Sequence, residues 1–179
     1  MTLYALVMMS LAAPAALAQA PAQAAKPAPV TPMTPSDPHD RLTFFEGSWT
    51  YEEAAPDMQF RETCGWMPSG RRHMVCAARR QTTSGPREGT SIFSYRAADK
   101  TYIYQGFRAG GAVQSLEGRV SDDGKTWEFW GEDGTGAMRT RTRVRIVKLE
   151  SGRFRFSEQT AVGPGDWSPE SVVNYRAAR

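Results

Sequence analysis

Histidine, lysine, cysteine and long apolar runs are all scarce in these 179 residues. The two histidines are His39, ahead of the first strand, and His73, beside a hairpin turn. A His-ligated metal centre and a Ser-His-Asp triad each need more than that, and a haem with a histidine axial ligand would have to use His73. His73 reads instead as an exposed hairpin residue, and neither metal nor cofactor is expected. The two cysteines, Cys64 and Cys76, have neither C-x-x-C spacing nor a histidine cluster, which disfavours a redox or metal pair. Lysine occurs four times, so arginine carries nearly all the positive charge. A net charge of +3 and a pI near 9.0 are too small to argue for a nucleic-acid partner.

The one apolar run lies at the start, over residues 1–19, and Pro14 breaks it. It is too short for a membrane anchor and suits an export signal, with Ala16-Leu17-Ala18 as the small-x-small site. Cleavage is expected after Ala18, with Ala20 the alternative, and no membrane insertion is expected once residues 1–18 are removed. No cysteine follows the run, so no lipoprotein anchor is expected there. Residues 19–39 are rich in Ala, Pro, Gln and Thr, with Pro21, Pro27, Pro29, Pro32, Pro35 and Pro38 denying helix and sheet, and read as a disordered tether. The folded domain is expected over residues 40–179, in a periplasmic or secreted protein.

What the chain has in quantity is aromatic residues: five Trp, six Tyr and eight Phe, all but Tyr4 in this domain, a balance that favours strands. A short helix through Arg41-Leu42-Thr43-Phe44-Phe45, capped by Asp37 or Asp40 and ended by Gly47, leads into Trp49. Alternating segments then follow at 48–53, 58–67, 71–82, 88–96, 101–108, 113–121, 126–132, 138–149, 153–161 and 170–177. Between them stand turn clusters such as Asp122-Asp123-Gly124, Ser151-Gly152 and Gly163-Pro164-Gly165. About ten strands joined by tight turns predict an all-β fold, a closed antiparallel up-and-down β-barrel with a short N-terminal helical plug.

Alternation also assigns faces. Arg139, Arg141, Arg143 and Arg145 cannot be buried together, so Thr140, Thr142, Val144 and Ile146 point in. Phe154, Phe156 and Glu158 follow inward with Arg153 and Arg155 outside, and Trp127 and Phe129 inward with Glu128, Trp130 and Glu132 outside. Phe60, Glu62 and Cys64 form another inward set, with Trp66 next. For the fifth strand either Tyr102 and Tyr104 or Ile103 and Phe107 point in, and Gly106 favours the tyrosines by parity. Cys64 and Cys76 flank a turn near Gly70 at near-equal distance, and an exported chain should oxidise the pair. The bridge would be worth about 3 kcal/mol. A three-residue Pro68-Ser69-Gly70 loop would offset the two cysteines by two positions, so the pairing requires a bulge or a longer loop.

Four pieces carry a resemblance: Leu42-x-x-Phe45-x-Gly47-x-Trp49, Cys64-x-Trp66-x-Pro68-x-Gly70 closed by Val75-Cys76, Gly89-x-x-Ile92-Phe93-x-Tyr95, and Tyr175-Arg176. In these the chain resembles exported members of the bacterial domain of unknown function 1579 family, which implies a calycin-like barrel more than a function. Gly47-x-Trp49 is also similar to the lipocalin signature, which implies that Trp49 floors the barrel under a cation–π cap from a late arginine, here Arg176. Related barrels of the nitrobindin type carry haem, but the late strands here have no histidine.

A barrel this wide should retain a cavity. The expected activity is binding of a small, mostly apolar ligand among Phe60, Glu62, Trp66, Tyr102, Tyr104, Trp127, Phe129, Thr142, Phe154, Phe156 and Glu158. No catalytic residue is assigned. One alternative is a lyase or isomerase with Glu62 or Glu158 as proton shuttle and Tyr102 or Tyr104 orienting the substrate. A second is a cell-envelope interaction protein using its Arg-rich outer wall. Whether two barrels pair is left open.

Overall fold

The computed structural model of the protein describes residues 37–53, 59–150 and 152–178. The export signal, its cleavage site, most of the tether and the expected strand start at Met58 lie outside the described residues. A 3₁₀ helix, Pro38–Phe45, precedes ten strands: β1 (Gly47–Tyr51), β2 (Phe60–Trp66), β3 (His73–Thr82), β4 (Gly85–Arg96), β5 (Thr101–Arg108), β6 (Val113–Val120), β7 (Thr126–Asp133), β8 (Thr140–Lys148), β9 (Arg153–Val162) and β10 (Ser171–Ala177). Each strand pairs antiparallel with the next, and β10 returns to β1, closing an up-and-down barrel. Among the described residues no helix is long and apolar enough to cross a membrane.

The barrel follows from inside-outside alternation. Thr142, Val144 and Ile146 are buried while Arg143 and Arg145 are exposed; Phe154 is 4% exposed while its neighbours Arg153 and Arg155 are in solvent. Trp127 and Phe129 lie inside with Glu128 and Trp130 outside. Each large apolar side chain taken from water contributes about 1.5–3 kcal/mol, whereas a buried arginine would need a partner for every charge, so only one parity is stable. On β5 Tyr102 and Tyr104 take the inner face.

The helix begins three residues before its expected start. Asp37 caps it by accepting the His39 backbone N–H at 2.8 Å, and Pro38 opens it, so the boundary of the ordered domain lies earlier than the composition of the tether suggested. Leu42 and Phe45 are buried, with Phe45 stacked on Phe93 at 4.4 Å and tilted against Trp127 at 5.2 Å. Gly47, at φ +122°, turns the chain from the helix into β1, and the Trp49 indole N–H donates back to the Phe45 carbonyl at 2.8 Å. Contacts distant in sequence fasten the helix: the Tyr102 hydroxyl of β5 donates to the Pro38 carbonyl (2.9 Å), the helix's own Arg41 donates to the Ser121 carbonyl (2.8 Å), and Arg71 of the β2–β3 turn donates to the Thr43 hydroxyl (2.9 Å).

Two turns differ from expectation. The β3–β4 turn falls on Thr83-Ser84, because Gly85 pairs with Thr82 and carries the positive φ, so Pro86 lies within β4. Met138 lies in a short 3₁₀ turn, Gly136–Met138, rather than at the start of β8; Gly134 and Gly136, both at positive φ, reverse the chain before Thr140. At the β2–β3 hairpin the longer loop is the solution: Met67–Arg72 connects the strands, the Met67 N–H donates to the His73 carbonyl at 2.9 Å, and Cys64 falls directly opposite Cys76, to which it is bonded.

Gly118 is required by a close approach. It faces Phe129 across β6 and β7, and a Cβ there would collide with the Phe129 ring and the Glu128 carbonyl oxygen. Gly118→Ala should therefore cost about 1–3 kcal/mol in urea unfolding, whereas Gly110→Ala, where a Cβ meets nothing within 4 Å, should change the midpoint little. The double variant Cys64→Ala/Cys76→Ala should lose about 3 kcal/mol in the same measurement.

Candidate functional site

Above a floor of Phe45, Trp49 and Phe154 the barrel interior opens into a cavity of about 290 Å³. Its register explains its lining. Tyr51 lies opposite Tyr175 across the β1–β10 seam, and Tyr175 opposite Phe154 across β10–β9, which brings three rings onto one inner face. Tyr51 stacks on Phe60 at 4.2 Å, both meet Tyr175 edge-on, Tyr175 stacks on Phe154 at 4.4 Å, and Phe154 meets Trp49 edge-on at 4.9 Å. The result is a continuous aromatic wall, to which Phe156 and Val173 add. Opposite it lie the disulfide, Ala78, Ser91 and Tyr104, and Arg80 and Arg108 also border the cavity.

Two carboxyls face this space. Glu62 enters from β2, between Trp49 on one neighbouring strand and Ala78 on the other, and Glu158 enters from β9. Glu62 makes no hydrogen bond or ion pair among the described residues, and burial pushes its pKa up to about 7. Burial likewise pushes the Tyr104 hydroxyl up to about 12, with Arg108 opposing and Glu62 and Glu158 adding, and it raises Tyr51 and Tyr175. Near neutral pH the cavity therefore holds neutral phenols and one carboxyl able to take or release a proton.

Six of the expected lining residues, Phe60, Glu62, Tyr104, Phe154, Phe156 and Glu158, come together around this cavity. The others point inward but lie elsewhere. Tyr102 is spent on the helix and packs edge-on against Trp127 at 4.9 Å; Trp127 is fully buried beneath Phe45. Phe129 fills the space between Trp127 and Phe93, and Trp66 lies under the Arg71 guanidinium at 5.0 Å, beside the β2–β3 turn. Thr142 lines a separate hollow of about 290 Å³ with Arg108, Leu116 and Gly131.

Trp49 does floor the cavity, but the cap expected from Arg176 is not formed. Tyr175 takes the inner face of β10, so Arg176 must face out, where it is exposed opposite Thr50. Trp49 is covered instead by the rings of Phe154 and Phe44.

Tyr51, Tyr175, Arg80 and Arg108 were not anticipated as lining. All four were accessible by parity: Tyr51 lies two residues beyond Trp49, Arg80 continues Cys76 and Ala78, Tyr175 alternates with Val173, and Arg108 continues Tyr104 and Gly106. Glu62, Cys64 and Cys76 bring a carboxylate oxygen and two sulfurs within 4.8 Å of one another. A thiolate, not a bridged sulfur, is the metal ligand, so this trio does not bind metal while the disulfide is intact. No family model matches the chain, and no curated protein matches it.

The raised carboxyl fixes a pH dependence. Because the folded state holds the Glu62 proton more tightly than the unfolded chain, this group's contribution to stability is fully present below pH 4.5 and is lost as pH rises from there through about 7. The loss attributable to this group is about 3 kcal/mol. Glu62→Gln should remove that decline, leaving the variant more stable than the parent at pH 8 in urea titrations and nearly equal to it at pH 4.

Proposed function

We propose that this protein is an exported binding module that holds one small, mostly apolar molecule inside its barrel. The aromatic wall running from Phe60 through Tyr51, Tyr175 and Phe154 to Trp49 carries the reading: it is preformed and faces an open volume, while Glu62, Glu158, Arg80 and Arg108 give the rest of the lining a comparable polar share. The volume suits a compact ligand of about ten water-sized groups. Glu62, Tyr104 and Glu158 are the polar anchors that would orient it. The disulfide favours a periplasmic or extracellular setting, where such a bridge persists. The calycin-like barrel family remains the proposed kinship, on the sequence pieces quoted above.

Glu62 also gives the acid–base enzyme reading one specific observation, a carboxyl with a pKa of about 7 in an aromatic cavity. That reading lacks its orienting contact, since Glu62 hydrogen-bonds to no tyrosine hydroxyl among the described residues. The Arg-wall reading is weaker. Arg139 pairs with Glu132 at 2.7 Å, Arg145 with Glu128 at 3.6 Å and Arg153 with Glu52, so much of the ladder is already neutralised.

The test is titration with N-phenylnaphthylamine, a neutral aromatic probe, followed by tryptophan fluorescence. Saturable quenching with one-to-one stoichiometry is expected, lost in Ala78→Phe, which fills the cavity, and retained in Arg155→Ser on the outer face. Equal quenching in Ala78→Phe, with its fold intact by circular dichroism, would place the probe elsewhere and refute interior binding.

A further inference from the structure

The connection between β9 and β10 is longer than its hairpin needs, and it does not hang free. Residues 163–170 fold back over the outside of the barrel and are fastened there: the Ser168 N–H donates to the Thr160 carbonyl at 2.7 Å, Gln159 donates to the Ser168 carbonyl at 2.9 Å, and Arg141 donates to the Gly165 carbonyl at 2.6 Å. This seats the Trp167 ring over Arg143 at 4.6 Å and over Arg141 at 5.1 Å. Across the outer face Trp130, 47% exposed, stands beside Arg143 on the neighbouring strand, and Arg143 in turn stands beside Gln159. Between the two indoles lies a cleft of about 460 Å³, larger than the interior cavity.

Its chemistry narrows the ligand. Arg143 and Arg145 share the cleft with three carboxyls, Glu128, Glu158 and Glu170, so it holds charges of both signs and no excess of positive charge. Arg143 is held in place by donating to Gln159 at 2.8 Å, which orients its guanidinium across the floor. An anionic headgroup or a polynucleotide would meet three carboxyls, and a purely apolar molecule would strand five ionisable groups. A sugar ring meets neither objection: its C–H face packs on an indole, while its hydroxyls both donate to carboxylates and accept from guanidinium groups. We propose that this outer cleft between Trp130 and Trp167 is a second binding site, for a neutral oligosaccharide. It does not rest on the interior reading: of the residues lining the cleft only Glu158 also borders the interior cavity, and the two indoles belong to the cleft alone.

The experiment is a titration of the intact protein with chitotetraose, cellotetraose and maltotetraose, followed by saturation-transfer NMR and tryptophan fluorescence. Saturable binding of at least one of them is expected with a dissociation constant of about 1 mM or tighter. Trp130→Ala should weaken it about tenfold or more, because one of the two stacking surfaces is gone. Trp130 is the deciding position, since Trp167 also fastens its own segment. Binding should be unaffected by saturating N-phenylnaphthylamine, which separates this site from the interior one, and by raising the salt from about 0.05 to about 0.5 M. The proposal is overturned if none of the three sugars binds, if binding survives Trp130→Ala unchanged, or if the interior probe displaces the sugar. Salt-sensitive capture of anionic phospholipid vesicles lost on Trp130→Ala would overturn it equally, by showing that the cleft reads charge.

Discussion

The stacking of Phe45 on Phe93 decides how this barrel is divided. Ten strands enclose more space than their own side chains readily fill, and an interior open to water throughout would forfeit the apolar burial that holds the sheet closed. The 3₁₀ helix resolves this by inserting Leu42 and Phe45 among Phe93, Trp49 and Trp127, which turns part of the interior into solid core. Its tethers come from the β2–β3 turn, β5 and the β6–β7 turn, so the seal is held from several sides at once. The cavity exists because nothing comparable among the described residues fills the space beyond Trp49.

The same strands serve two environments with one alternating pattern. Inward, the cross-strand register lines up Tyr51, Tyr175 and Phe154; outward, it lines up Trp130, Arg143 and Gln159. The outer arginines are tolerated side by side because each of several neighbours removes part of the repulsion, by ion pairing at Glu128 and Glu132 and by stacking at Trp167. Glu62 is the exception inside, a carboxyl with no hydrogen bond or ion pair among the described residues to compensate its charge. Its cost is lowest when it keeps its proton.

Local pattern made most of the fold legible. Alternation in Met138–Ile146, Arg153–Glu158 and Thr126–Glu132 placed the inner and outer faces correctly, and two cysteines at equal distance from one turn marked the bridge. What sequence could not show was depth along the barrel axis. Tyr102 and Tyr104 share a face, yet one is consumed by the helix and the other borders the cavity, a distinction set by how far each lies from the sealed end. Arg176 failed as a cap for a simpler reason: the resemblance that suggested it ignored the parity set by Tyr175. Trp167 was overlooked because it follows a Gly-Pro-Gly turn, and nothing in the local pattern says that such a segment will fold back onto the wall.

The β1–β10 seam is held by three registered residue pairs, far fewer than the ten that join β3 to β4, and it unites the first strand with the last. Such a join can form only after every intervening hairpin has brought its two partners within reach, so the ring is completed late in folding. Tyr51 and Tyr175 meet across that join and are part of the aromatic wall, which means that the closing of the ring is also the step that completes this wall. A chain trapped before it would be a curled ribbon with most of its ladders in place and no vessel.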